Sequence, residues 1–300
     1  MSRVNKPKVE EAKTMKTKVS KGEVTPIKVR NVLKSTWSLL ANNKKIIAKL
    51  SLIYGIIYIV LVQALSAPLS AVSIKDTFLS AFENQLTASF NTFSYILSNN
   101  TTNSSNATSG IYQVVLILLF SLVFIYVFRK AFKKQNTTVK ESMYQSMYPL
   151  IPYLVVLFII LLELIPMDLG LVLYSLVTSG GIINNIVEQI IFSILLVGFI
   201  GFSLYLLSNS IVSLYIVTLK DMTPLNSLRS AKQLVVGRRF SVILTILLLP
   251  VILLLVAGVV LIPLIMLIPA LASWTYFILL IIALPIVHSY LYSLYRELIK

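Results

Sequence analysis

The 300-residue sequence contains no cysteine, a single histidine and only 11 acidic residues. Without cysteine the chain has no disulfide, no thiolate nucleophile and no cysteine-ligated zinc site. Hydrolysis or group transfer requires a nucleophile with a base, paired carboxylates or a metal, and the sequence shows no such combination. It therefore predicts a protein that is not an enzyme and that carries neither a metal nor a cofactor.

Charged residues are also scarce, whereas apolar residues are abundant. Asp, Glu, Lys and Arg make up 12% of the chain, hydrophobic residues make up 57%, and the mean hydropathy is +0.87. These values lie outside the range of soluble globular proteins. The composition predicts an all-α, polytopic membrane protein.

Six apolar runs are long enough to cross a hydrocarbon core of roughly 30 Å as helices. The predicted spans cover about 46–66, 111–128, 148–165, 186–219, 242–268 and 272–292. They define a membrane domain over 25–300, with an external loop at 67–110. Residues 1–24 are rich in lysine and poor in large apolar side chains, so they predict a flexible basic tail.

The basic residues determine the predicted orientation. The net charge is +15, and all 26 Lys and Arg except Lys75 lie in 1–49, 129–140, 220–239 and 296–300. Under the positive-inside rule these stretches are cytoplasmic, so both termini are expected in the cytoplasm of a multi-pass protein of the cell membrane. A nucleic-acid partner is not expected, because the basic tail has no aromatic side chain on which bases stack.

Short amphipathic helices are predicted before the entering spans. Thr25-Pro26, Thr138 and Thr223-Pro224 each resemble a helix N-cap, and Thr138 with Glu141 forms a capping box. In the first helix Val29, Leu33, Trp37 and Leu40 lie at helical spacing. The pattern predicts three parallel units of surface helix plus hairpin; the alternative is that basic and aromatic belts recur in any protein with many spans.

Two sets of polar residues are candidate sites outside the spans. Asn99, Asn100, Asn103 and Asn106 match the glycosylation acceptor pattern, with a polar low-complexity loop as the alternative. Asn136 matches as well but is predicted to be cytoplasmic. The second set is basic and is expected to attract anionic lipid headgroups at about 1 kcal/mol per residue; it consists of Arg129, Lys130, Arg229, Lys232, Arg238 and Arg239.

Few polar groups occur within or beside the spans. His288 is interpreted either as a proton relay or as a packed helix histidine. Glu163, Asp168 and Glu188 are predicted either to converge at the outer ends of two spans, where they would bind a cation, or to end helices in water. Gly198 and Gly201 are predicted to form a face on which a neighbouring helix packs closely.

Residues 221–255 and 285–298 resemble a group of prokaryotic six-span proteins. The features that carry the resemblance are the Ser-Leu-Arg-Ser sequence at 227–230 and the Arg238-Arg239 pair before an apolar span. The group includes the membrane domain attached to some glycerophosphodiester phosphodiesterases. In those enzymes hydrolysis belongs to a separate barrel domain. The resemblance covers about the last hundred residues. It implies a membrane fold there and does not carry the hydrolytic activity over to this chain.

Two hypotheses about function follow. The first is a non-enzymatic integral membrane protein that acts as a scaffold, an assembly partner or a lipid-organising module, with membrane lipids and other membrane proteins as partners. The second is a transporter or permease subunit with a pathway between proline-interrupted spans. A pathway requires polar groups near the middle of several spans, and the predicted spans consist mainly of Leu, Ile, Val and Phe.

Overall fold

A computed structural model describes residues 27–63, 107–180, 185–267 and 269–299 of the chain. Over these residues the structure contains nine α-helices and one π-helical turn, and no strand. The predicted all-α class is confirmed. The helices are α1 (Val29–Asn42), α2 (Lys44–Tyr58, extended by the π-helical turn Ile59–Gln63), α3 (Ala107–Phe132), α4 (Val139–Ser146), α5 (Leu150–Ser179), α6 (Ile186–Val217), α7 (Pro224–Val235), α8 (Arg239–Leu267) and α9 (Pro269–Ile299).

Five of the described helices, α3, α5, α6, α8 and α9, are long and apolar enough to cross a membrane. The chain is a multi-pass membrane protein. The first predicted span, 46–66, corresponds to α2 and its π-helical turn, and its end lies outside the described residues. The basic tail at 1–24, most of the external loop and the four asparagines at 99–106 also lie outside them.

Apolar side chains on the long helices are widely exposed. On α6, Ile186, Ile190, Ile194 and Val197 form an exposed stripe with the spacing of a helix face. A contiguous apolar surface of this kind is unfavourable in water. In a bilayer the same stripe contacts lipid tails, and the buried residues of α6 all lie from Ser203 onward.

The third span is longer than the sequence analysis predicted. The predicted span ends near residue 165 and is followed by an external connection from Met167 to Asn185. Instead α5 continues through Pro166 to Ser179. A proline within a membrane helix removes one main-chain hydrogen bond without ending the helix when the following residues are apolar. The connection from α5 to α6 is therefore short, and Glu163 and Asp168 belong to the helix.

The helices form two compact units, each with its own core. The first unit contains Ile151–Ile246 and the chain from Leu294, and thus α5, α6, α7 and the beginning of α8. In it α7 packs along α6, and Tyr215 of α6 stacks on Tyr295 with ring centroids 6.2 Å apart. Aromatic pairs at this separation contribute packing beyond the area that they bury.

The second unit contains Arg30–Leu150 and Leu247–Ser293, and aromatic side chains fill its core. The ring of Tyr54 on α2 lies 5.1 Å from that of Phe120 on α3, and Tyr58 lies 5.4 Å from Phe277 on α9. Phe124 and Phe128 of α3 are fully buried and stack on each other. Helix α3 is thus the central element of this unit.

Helix α1 packs through a face other than its apolar stripe. The buried residues are Val32, Thr36 and Leu39, whereas Leu33 is 40% and Trp37 is 76% exposed. The Thr36 hydroxyl donates to the Val32 main-chain oxygen at 2.8 Å, so its burial leaves no unpaired polar group. The apolar stripe itself faces outward, where a tryptophan suits a membrane interface.

The predicted N-caps at Thr138 and Thr223 are confirmed. Each threonine side chain accepts a hydrogen bond from the main-chain N–H three residues later, Glu141 at 3.3 Å and Asn226 at 3.4 Å. One short helix precedes two long ones in two stretches, α4 to α6 and α7 to α9. In the stretch from α1 to α3, α1 and α2 have 14 and 15 residues and precede one long helix. The proposed three-unit repeat stays a prediction.

The two caps provide a test of local stability. Thr138→Ala and Thr223→Ala should each lower the free energy of unfolding by about 1 kcal/mol, because each leaves a helix N–H without its partner. Thr178→Ala is the matched control, since this exposed threonine near the end of α5 bonds only to its own helix. Chemical unfolding in detergent micelles measures all three. Equal losses in the three variants would contradict the capping role.

Candidate functional sites

Helix α7 of the first unit has one buried face and one exposed face. One face is buried through Ser227, Ala231 and Val235. The opposite face is exposed and carries an apolar residue at each end and two basic residues between them. The members of this stripe are Leu225, Arg229 and Lys232 on the helix and Val236, the C-cap residue directly after it. We call it the α7 stripe.

A tight turn joins α7 to α8. Gly237 adopts φ 80°, a left-handed conformation that favours glycine, and the Arg238 N–H donates to the Val235 oxygen at 2.9 Å. The guanidinium of Arg239 lies over the ring of Tyr205 on α6, 4.5 Å from its centroid. This cation–π contact directs Arg239 along α6. Beside it, Phe240 is 78% exposed.

In the second unit, α1 and α2 are separated at Asn43. The Asn43 side chain donates to the Leu39 main-chain oxygen at 2.9 Å and so satisfies the end of α1. It makes no capping bond to α2, so the first N–H groups of α2 have no side-chain partner from their N-cap. Lys44 and Lys45, the first two residues of α2, are exposed.

The end of α3 lies near the junction of α1 and α2 in this unit. The Gln135 N–H donates to the Lys130 oxygen and the Lys134 N–H to the Ala131 oxygen, both at 3.0 Å. These two bonds define a Schellman motif with Lys134 at the position that usually holds glycine. Lys134 adopts φ 53°, which is unfavourable for a side chain of its kind. The motif turns residues 135–137 back toward the beginning of α2.

A cavity of about 300 Å³ lies between these two helix ends. Its rim carries hydrogen-bond donors from both sides, together with two lysines and a few apolar side chains. A small polar molecule fits this volume. The lining residues are Ala41, Asn42, Asn43, Lys44, Lys45, Ile46, Val127, Ala131, Gln135, Asn136 and Thr137.

A charged cluster joins α3 to α4. The Tyr126 hydroxyl donates to the Glu141 carboxylate at 3.0 Å and also lies in hydrogen-bond contact with Gln145. Lys130 forms an ion pair with Glu141 at 3.6 Å. The hydrogen bond from Tyr126, together with Lys130 and the Thr138 main chain, holds the pKa of Glu141 below its usual value. Glu141 therefore stays ionised and partly neutralises Lys130.

The structure places the six predicted lipid-contacting residues in different settings. Arg229 and Lys232 are exposed on the α7 stripe, whereas Arg129, Lys130, Arg238 and Arg239 are half-buried. Lys130 and Arg239 are engaged by Glu141 and Tyr205. Neither the role of Asn43 nor the cavity beside Lys44 and Lys45 was predicted from the sequence. The Asn42-Asn43 pair before two lysines was the available signal, because asparagine interrupts helices.

The three acidic residues of α5 and α6 do not come together in one site. In the part of the chain that the structure describes, no three acidic or histidine side chains are close enough to hold a metal ion, so the predicted convergence of Glu163, Asp168 and Glu188 is wrong. Glu163 instead faces α6, where it meets two serine hydroxyls. The sequence distance between these residues is the reason that no local pattern revealed the pairing.

His288 is buried by the protein, whereas Gly198 and Gly201 are exposed. His288 is buried in α9 at 8% exposure, next to the fully buried Ser289. Gly198 and Gly201 are exposed, and a Cβ atom added to either would meet no described atom within 4 Å. The predicted close packing at these two glycines is wrong. It occurs at Gly170 of α5, where a Cβ would lie 2.8 Å from the Phe199 Cβ of α6.

No known protein family, curated protein or solved structure matches the chain.

Proposed function

We propose that this chain is a non-enzymatic, multi-pass protein of the cell membrane that organises anionic lipids and serves as a scaffold for other membrane proteins. Both termini are proposed to be cytoplasmic, on the basis of the basic stretches of the sequence. The α7 stripe is the observation that supports this function best. It combines exposed apolar ends with exposed positive charge, the pattern of a helix that lies in a membrane interface.

The geometry of the stripe suits a lipid headgroup region. The buried face of α7 holds the helix along α6, which leaves Leu225 and Val236 free to contact acyl chains. Arg229 and Lys232 then reach phosphates at the same depth, since long basic side chains extend toward the headgroups. Lys44 and Lys45 at the cavity of the second unit are proposed as a second contact with anionic headgroups.

Lipid selection provides the test of this function. The full-length chain is purified in nanodiscs that contain a neutral and an anionic phospholipid, and the co-purifying lipids are quantified by mass spectrometry. Arg229→Gln with Lys232→Gln should reduce the enrichment of the anionic lipid about fivefold for each charge removed, or ~1 kcal/mol per residue.

The matched control exchanges the two residues, Arg229→Lys with Lys232→Arg. Because this variant keeps both charges, it should retain the enrichment of the unmodified chain. Equal enrichment in the neutralised and exchanged variants would refute the lipid-organising function of the α7 stripe.

A transporter or permease subunit is the second candidate. The observation that favours it is the contact of Glu163 with Ser203 and Ser210, since it places polar groups inside two membrane-spanning helices. Helices α8 and α9 also contain internal prolines, at Pro250, Pro263 and Pro285. If the chain is a transporter or permease subunit, proteoliposomes that carry it should take up solute. A protein that only organises the membrane should produce no solute flux.

A further inference from the structure

Glu163 lies deep in a membrane-spanning helix. It is separated from either end of α5 by at least ~20 Å of helix axis at 1.5 Å per residue. Residues on both sides of it are apolar, and the helix is long and apolar enough to span a bilayer. Ionisable side chains at this depth are rare and unfavourable, and they are usually functional.

Two serines of α6 hold Glu163 from the neighbouring helix. The Ser210 hydroxyl donates to Glu163 Oε1 at 2.6 Å, and the Ser203 hydroxyl donates to the Glu163 main-chain oxygen at 2.7 Å. Both serines are about 1% exposed, and their spacing of seven residues places them on one face of α6. Glu163 is therefore fixed at its side chain and at its backbone.

The second carboxyl oxygen of Glu163, Oε2, has a different environment from Oε1. Glu163 Oε2 is buried and has no hydrogen-bond partner among the described residues, and the same holds for Asn209 Oδ1 on α6. An ionised carboxylate would spread charge onto an oxygen that no donor contacts, in a region from which water is excluded. Such a group is strongly unfavourable. The neutral acid places no charge on Oε2, and a buried O–H without an acceptor is far less unfavourable than a buried charge.

Among the described residues, no cation forms an ion pair with Glu163. The only other charged side chains of α5 and α6 are Asp168 and Glu188, and both are acidic. The facing hydroxyls of Ser203 and Ser210 are uncharged. The guanidinium of Arg239, in the same unit, stacks on Tyr205.

We propose that Glu163 is a proton-binding site within the membrane, at which α5 holds a neutral carboxyl group against the two serines of α6. The proton resides on Oε2, the oxygen that accepts no hydrogen bond, while Oε1 accepts from Ser210. Release of this proton leaves a carboxylate that only one hydroxyl stabilises. This proposal does not depend on the lipid-organising function, because it involves neither the α7 stripe nor the cavity.

A bound monovalent cation is the competing occupant. Oxygen atoms of Glu163, Ser203, Ser210 and Asn209 are the kind of ligands that alkali cations use. A cation bound at these oxygens would compete with the proton for Glu163, so added sodium or potassium separates the two occupants.

Labelling by a hydrophobic carbodiimide tests the proposal, because the reagent enters apolar sites and reacts with protonated carboxyl groups. The full-length chain in liposomes is treated with N,N′-dicyclohexylcarbodiimide in buffers from mildly acidic to alkaline pH. Peptide mass spectrometry then locates the adducts. Glu163 should be labelled, whereas Glu188, in the first turn of α6, should remain unlabelled and acts as the internal control.

Two further features of the labelling distinguish the outcomes. Labelling of Glu163 should fall about tenfold for each pH unit above its midpoint, as the protonated fraction falls, and sodium or potassium at constant pH should leave it unchanged. Glu163→Gln should remove the adduct from this peptide alone. Protection by either cation, labelling that does not change with pH, or no labelling of Glu163 in the unmodified chain would overturn the proposal.

Discussion

Phe124→Ala should lower the free energy of unfolding by about 3–5 kcal/mol, the range measured for loss of a buried aromatic side chain. Phe124 is 0% exposed, and its ring stacks on Phe128 with centroids 6.2 Å apart. The residues beside it on α3, Val123 and Ile125, are equally buried. The surrounding helix can therefore collapse only partly into the space that the ring leaves.

Phe158→Ala is the matched control for this prediction. Phe158 lies on α5, carries the same side chain and is 60% exposed. In a membrane its ring contacts lipid, so its removal leaves no cavity and should change stability by less than about 0.5 kcal/mol. Reversible unfolding in mixed micelles measures both variants. Equal losses would show that α3 is not the centre of a packed core.

Gly170→Ala should destabilise the chain by about 1–3 kcal/mol, the usual effect of an overpacked contact. The added methyl group would lie 2.8 Å from the Cβ and 3.2 Å from two ring atoms of Phe199. A Cβ cannot move away as the end of a long side chain can. Helices α5 and α6 must therefore separate, and the hydrogen bonds of Ser203 and Ser210 to Glu163 should lengthen with them.

Two other glycines serve as controls with different expected results. Gly198→Ala should be neutral or stabilising by about 0.5–1 kcal/mol, because alanine favours the helix and meets no described atom. Gly55→Ala meets only the terminal Cδ1 of Ile281, at 2.8 Å, and rotation of that side chain should relieve the contact. A destabilisation by Gly198→Ala as large as that by Gly170→Ala would exclude close packing as the cause.

The confirmed predictions concern elements that are determined by residues close together in the sequence. Thr138 and Thr223 cap their helices because a cap requires only a suitable side chain and an N–H three residues later. The long apolar helices follow from runs whose length matches a bilayer. The predicted end of the third span near residue 165 was wrong, because α5 continues through Pro166 to Ser179 and membrane helices tolerate proline.

The candidate sites could be predicted only in part. Arg229 and Lys232 were identified by charge and spacing, and both are exposed on the α7 stripe. Their neighbours Arg238 and Arg239 match the same pattern, yet Arg239 stacks on Tyr205. The cavity at Lys44 and Lys45 was missed, because it requires the end of α3 to turn back toward α2 at Lys134.

The sequence alone determined that this is an all-α protein that crosses a membrane several times, since hydrophobic length and helix caps are properties of contiguous residues. Only the tertiary structure decided which face of α1 packs, which glycine lies at a helix contact and which polar groups meet Glu163. These depend on the rotation of one helix against another. A difference of about one residue in that rotation, ~100° around the axis, exchanges a buried face for one exposed to lipid.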